Sequence, residues 1–317
     1  MSRRGWVLFA AMCVIWGIPY LLIKIAVEEL APSTMVLART GLAALILLPI
    51  AVAQGQLRGL GKVWLALIAY TLVEICGPFL LLARAETRLS SSLTGLLIAA
   101  VPIVGAVLVR VLGGRVPGGR ERLGPRRLIG LLLGVAGVAA LVGLDVATDD
   151  LVAVLAVAGV VLGYALGPII LARRLSEQPG LGVVAASLTL AALVYLPAGV
   201  AQAPREWPSG RVLAAVLVLA VICTGLAFLV FFQLIAEVGP ARATVITYLN
   251  PAVAVLLGVL VLDERFTAVT ALGFVLVLTG AVLATGRGGT VEESGTGSAG
   301  GGLRGGSSET DSASARS

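Results

Sequence analysis

Apolar runs about as long as a membrane is thick recur along this chain, and they decide its solvent. A bilayer core needs about 20 consecutive apolar residues per helix. Apolar length, read against breaks at Gly, Pro and charge, predicts helices near 6–26, 33–53, 63–83, 91–112, 128–146, 151–171, 182–202, 212–235, 243–262 and 268–286. The expected fold is an all-α membrane protein of ten transmembrane helices. Composition agrees, with 58% hydrophobic and 13% charged residues, where soluble domains carry about 25% charge.

The first stretch, Trp6 to Val27, follows Ser2-Arg3-Arg4 but is longer than a secretion-signal core. It carries Pro19 and Lys24 and lacks a small-residue cleavage site, so it is expected to be a retained helix. Cys13, Cys76 and Cys223 all fall inside apolar spans, where a thiol behaves as a small hydrophobe, and histidine is absent from the sequence. No disulfide framework, metal or cofactor is expected. The net charge of +6 lies in short loops beside the spans rather than in an aromatic-interleaved patch. The expected partner on this ground is the lipid bilayer, not nucleic acid.

Orientation follows from Lys and Arg in the loops. With the N-terminus in the cytoplasm, sixteen of the 23 lie inside and five outside (Arg84, Arg88, Arg205, Arg211 and Arg265), with Lys24 and Arg39 inside the membrane. That bias obeys the positive-inside rule and places both termini in the cytoplasm of a cell inner membrane. Glu28-Glu29, Asp149-Asp150 and Asp263-Glu264 fall outside on the same reading. Beyond Arg287 the chain is Gly/Ser-rich, the composition of a disordered cytoplasmic tail over 287–317.

The chain also repeats itself. Pro19 and Pro168 are offset by 149, as are Lys24 and Arg173 and then Pro102 and Pro251, while Leu48-Pro49 and Leu196-Pro197 are offset by 148. Gly130 and Gly137 match Gly273 and Gly280 at 143, the difference being taken up by a longer loop from Gly113 to Arg127. Several ordered matches at nearly one offset indicate duplication into residues 1–146 and 147–286. Each half holds five spans, an odd number, so the second copy must enter the membrane from the opposite side. In that inverted design a substrate sits near the midplane and access alternates.

Trp16-Gly17 with Lys24, Ala38-Arg39, and Tyr248-Leu249-Asn250-Pro251 closing in Leu262-Asp263-Glu264-Arg265 resemble the EamA-type branch of the drug/metabolite transporter superfamily. The resemblance covers roughly residues 6–286. It implies two five-helix repeats around a central cavity, no ATP-driven step, and transport of amino acids, other small metabolites or toxic compounds. The family pattern closes in Leu-Gly-Glu, whereas this chain has Asp263 for the glycine and Leu112-Gly113-Gly114 with no glutamate in its first half. Consistent with the missing ATP step, the chain has no Gly-x-x-x-x-Gly-Lys-Ser/Thr loop.

Polar groups at membrane depth are costly and therefore candidates for function. Glu74, mid-span in the third helix, is positioned either to carry a proton or to pair with a neighbouring helix. Lys24 and Arg39 either snorkel to the headgroups or line the cavity and attract a substrate carboxylate. Trp16, Tyr20, Tyr70, Tyr164 and Tyr248 are candidate pocket residues or interface anchors, with Tyr70/Glu74 and Trp16/Tyr20 spaced to share a helix face. Gln233 and Asn250 are further cavity candidates, although Asn250 also stands where it can satisfy carbonyls freed by Pro251. Pro19, Pro102, Pro168 and Pro251, together with Pro78, are candidate hinges. Gly159, Gly163 and Gly167 form a small-residue ladder that fits either packing within one chain or a homodimer seam. No catalytic residue is assigned. The one conceivable enzyme dyad, Lys24 with a serine, competes with the simpler reading of Ser90, Ser91 and Ser92 as a helix cap.

The expected function is secondary transport of small amino-acid-like or amphipathic metabolites, with proton-coupled export by alternating access. Uptake, or a membrane protein that transports nothing, is the alternative.

Overall fold

The computed structural model describes residues 2–111, 125–145, 150–239, 243 and 246–285, and every regular element among them is helical. In chain order these are α1 (Arg3–Ala26), α2 (Pro32–Ala53), α3 (Leu60–Glu86), α4 (Ser91–Val111), α5 (Pro125–Asp145), α6 (Leu151–Leu175), α7 (Gly180–Ala201), α8 (Gly210–Val238), α9 (Ile246–Leu262) and α10 (Ala268–Thr285). Seven of them, all but α5, α9 and α10, are long and apolar enough to cross a membrane. The other three carry apolar stretches of 10–17 residues. Of the long loop expected from Gly113 to Arg127, Pro125–Arg127 already belong to α5, while residues 113–124, Leu112, Asp149 and the tail expected over 287–317 lie outside the described residues.

The prolines act unequally. Pro19 separates Arg3–Gly17 from Pro19–Ala26, and Pro102 follows an interruption at Ala99–Ala100. Their repeat mates, Pro168 and Pro251, lie inside α-helical segments that run on through them. Wider π turns interrupt α3 over Thr71–Cys76, α6 over Leu171–Leu175 and α8 over Val221–Leu226. The π segments of α3 and α8 are offset by 150 residues, so the duplication read from prolines is also written into the backbone.

Close glycine contacts show how the helices run past one another. Thr34 at the start of α2 donates to the Gly199 carbonyl at the end of α7, at 2.9 Å, while Gly182 at the start of α7 abuts Gln56 just after α2. The two helices are antiparallel. The same holds for α5 and α10, where Gly137 meets Val277 and Gly134 meets Gly280. It holds again for α3 and α6, because Gly159 packs on Leu81, Gly163 on Pro78 and Gly167 on Glu74. The glycine ladder of α6 thus faces α3 of its own chain.

Loop contacts divide the bundle into two ends. At one end Arg211 pairs with Glu28 at 3.6 Å, Arg88 with Asp150 at 3.8 Å, and Glu29 accepts the Ser209 main-chain N–H at 2.7 Å. At the other end Ser2 donates to Glu237 and Arg4 to Gln233. Between the ends large apolar side chains point outward, Leu45 at 72% and Leu155 at 70% exposure among them. Lipid accepts such a surface and water does not.

Candidate functional site

The interior holds a cluster of polar side chains that the bundle brings together from five helices. Arg39 of α2 is its centre. It is buried, its Nε donates to Thr224 Oγ1 of α8 at 3.0 Å, and its guanidinium carbon lies 3.8 Å from the centroid of the Phe79 ring on α3. Of the two readings of Arg39, burial corrects the one in which it snorkels to the headgroups: its charge is directed inward, where an aromatic face and a hydroxyl hold it. Tyr164 of α6 is within electrostatic range of Arg39, Glu74 and Glu86, and Tyr20 of α1 is within range of Tyr164, Glu86 and Arg39.

The π segments set the two deepest polar positions. Glu74 is fourth in Thr71–Cys76 and Thr224 is fourth in Val221–Leu226, so the duplication places a carboxyl in one half where the other has a hydroxyl. A π turn displaces one residue from the ordinary register and is frequent at functional sites. Thr224 also donates to the Leu219 carbonyl five residues back at 2.9 Å, a bond that this wider spacing allows. In α3 the buried Tyr195 hydroxyl of α7 donates to the Cys76 carbonyl at 2.9 Å. Glu74 lies over Gly167, with one carboxylate oxygen buried and without a hydrogen-bond partner among the described residues.

Other candidates lie elsewhere. Trp16 stacks edge-on with Phe228 at 5.9 Å and tilts against Phe231 at 4.8 Å, whereas Tyr20 belongs to the central apolar core. The break at Pro19 sends these two aromatics into different clusters despite their helical spacing. Tyr70 is buried with Leu60, Leu175 and Val183, within electrostatic range of Glu74. Tyr248 donates to the Ala281 carbonyl across the α9–α10 contact. Gln233 is exposed and accepts from Arg4 at 3.4 Å at the end of the bundle, which corrects the expectation that it lines the cavity. Asn250, with its amide nitrogen toward the main chain, donates to Ile246 O at 3.0 Å and Cys13 O at 3.2 Å, tying α9 to α1.

Lys24 is half-buried near the end of α1. Its ammonium donates to the Glu86 and Leu89 carbonyls at 2.7 and 2.8 Å, capping the C-terminal end of α3, where a cation is favoured. Ser90 caps α4 by accepting from Leu93 N–H at 3.2 Å, so Lys24 and the serines serve helix ends rather than a dyad.

Sequence reasoning gave two acids no site role, although Glu264 stands in the run that carries the family resemblance. Glu86 falls in the polar run Ala83-Arg84-Ala85-Glu86-Thr87-Arg88, which reads as a loop, yet α3 continues to Glu86 and buries it completely. Glu264, 172 residues from Ser92, accepts the Ser91 N–H at 2.7 Å and the Ser92 N–H at 2.9 Å, holding the start of α4 against the end of α9. The preceding residue, Asp263, has φ of 53°, a left-handed conformation that glycine adopts freely and aspartate tolerates. That is the position at which the family pattern has glycine.

Known proteins match this chain over most of its length. The uncharacterized inner membrane transporter YedA of Escherichia coli K12 is 26% identical over 87% of this chain and 88% of its own. The uncharacterized transporter YvbV of Bacillus subtilis is 23% identical over 88% and 90%. An uncharacterized transporter of Archaeoglobus fulgidus is 24% identical over 90% and 98%. One crystal structure superposes with a TM-score of 0.64 at 22% identity, covering 90% of this chain and 98% of that one, and so shares its fold. The profile of the EamA-like transporter family matches residues 3–143 and again 151–286. The chain is a membrane transporter that belongs to the EamA-like transporter family.

Proposed function

We propose that this transporter moves small amino-acid-like or amphipathic metabolites out of the cell by proton-coupled alternating access. The observation that carries the reading is the buried cluster of Arg39, Glu74, Tyr20, Tyr164 and Thr224, because both halves of the chain contribute to it. Polar groups at that depth mark substrate and ion pathways. On this reading ten helices cross the inner membrane as two inverted five-helix repeats, residues 1–146 and 147–286, with both termini cytoplasmic. The antiparallel passages of α2 with α7 and of α5 with α10 support the inversion, since matched helices of inverted copies must run oppositely.

Each group then has a task. Arg39 attracts an anionic group of the substrate, with Phe79 and Thr224 holding the guanidinium in place. Tyr20 and Tyr164 offer apolar faces with one polar handle each. Glu74 carries the proton and releases it when the cavity opens inward.

The test is a panel of metabolites in proteoliposomes under an imposed pH gradient. Wild type is expected to move one chemical class in a gradient-dependent manner, and Glu74→Gln to lose that dependence while still binding substrate. A Glu74→Gln protein with full gradient-driven transport removes Glu74 from the mechanism. Failure of wild type to bind or move any member of a broad panel removes the reading itself.

A further inference from the structure

The transport reading assigns the proton to Glu74, yet another acid is buried more completely. Glu86, the last residue of α3, is 0% exposed, and among the described residues neither of its carboxylate oxygens has a hydrogen-bond partner. The titratable and charged groups facing it are Tyr20 and Lys24 from α1, Arg39 from α2, Tyr164 from α6 and Glu264 from the segment after α9. None of them neutralises it by a direct bond. Lys24 is held by main-chain carbonyls, one of them that of Glu86 itself, and Arg39 is held by Thr224 and Phe79. Glu264 adds a like charge, turned onto the start of α4. Burying an ionised carboxylate with no donor is costly, and a proton removes that cost.

Glu86 also stands at a seam. Lys24 joins the end of α1 to the end of α3, and Glu264 joins the end of α9 to the start of α4. Opening this end of the bundle must break those bonds and hydrate the Glu86 carboxyl. We propose that Glu86 is a second proton-binding site of the transport cycle and that this end of the bundle closes only over its neutral carboxyl. On opening, one proton leaves the carboxyl for water on that side, and on closing one proton returns from the same side. The inference rests on the transport reading for its cycle, and in the proposed orientation this end faces outward. External protons then close the outer gate, the sense required for export driven by proton entry.

The test follows opening directly, without substrate. In a chain with its three cysteines replaced, Leu89→Cys reports access to a hydrophilic maleimide, and Glu206→Cys on an exposed link of the same end corrects for the thiol's own pH dependence. The corrected rate is expected to rise with pH, by at most about tenfold per unit for a one-proton step. Glu86→Gln is expected to hold it low and flat, and Glu86→Asp to restore the slope, which guards against a folding defect in either variant. A flat profile with Glu86 intact overturns the proposal. So does a slope that survives Glu86→Gln and vanishes in Glu74→Gln. Because no substrate is present, a protein that transports nothing can still pass this test, and one that transports can fail it.

Discussion

Gly167→Ala probes the seat of Glu74 most sharply. A methyl group there would stand 2.6 Å from Glu74 Cδ and 2.9 Å from Glu74 Cβ. The carboxyl end can swing aside, but Cβ is fixed to the α3 backbone, so α3 and α6 must part by several tenths of an ångström. Overpacking of this kind costs about 1–3 kcal/mol, while replacing glycine in a helix returns about 1 kcal/mol through propensity. Gly105→Ala in α4 isolates the second term, because nothing lies within 4 Å of its added methyl. Unfolding in mixed micelles by a denaturing detergent should place Gly167→Ala about 1–3 kcal/mol below Gly105→Ala, about 5- to 150-fold in the folding equilibrium. Adding Glu74→Ala removes the crowded carboxyl and should recover part of the loss. Equal stability of the two alanine variants, or no coupling to position 74, would refute the claim that Glu74 packs on α6.

Four further outcomes follow. Arg39→Met should fold, because a buried charge without an acidic partner is often replaced by an apolar side chain at little cost, yet transport should fall below about one-tenth of wild type; retained flux would free Arg39 of any role. Asp263→Gly should raise stability in detergent by about 1 kcal/mol by relieving the left-handed conformation, and Asp263→Val should lower it by at least as much. Glu264→Gln weakens the bonds to Ser91 and Ser92 and should lower thermal stability by about 1–2 kcal/mol. Hydrogen bonds from Ser209 hold the Glu29 carboxyl below its ordinary range, so its contribution to stability is present above the unfolded value and lost as pH falls through the folded one; Glu29→Gln should flatten that part of the melting profile.

The helices were legible in the sequence because lipid imposes one rule on every span: enough apolar residues in a row. Arg39 and Glu74 were legible for the same reason, as exceptions inside such rows. Glu86 was not, since four polar residues within five look like a loop until Lys24 is seen capping the carbonyls beneath them. Glu264 and Ser92 are joined only by the fold. The π turns left no trace in residue type, because propensity does not distinguish four-residue from five-residue spacing. Gln233 misled, because its polar group faces out at the end of the bundle and pairs with Arg4.

Whether two opposed copies enclose the polar cluster can be read from distances between helix ends. Spin labels at Gln54, after α2, and at Gln178 or Gln202, on either side of α7, should give a short distance for 54–178 and one longer by roughly 30 Å for 54–202, the length of a 22-residue helix. The reverse ordering would make α2 and α7 parallel, and the shared interior on which transport is argued would not exist.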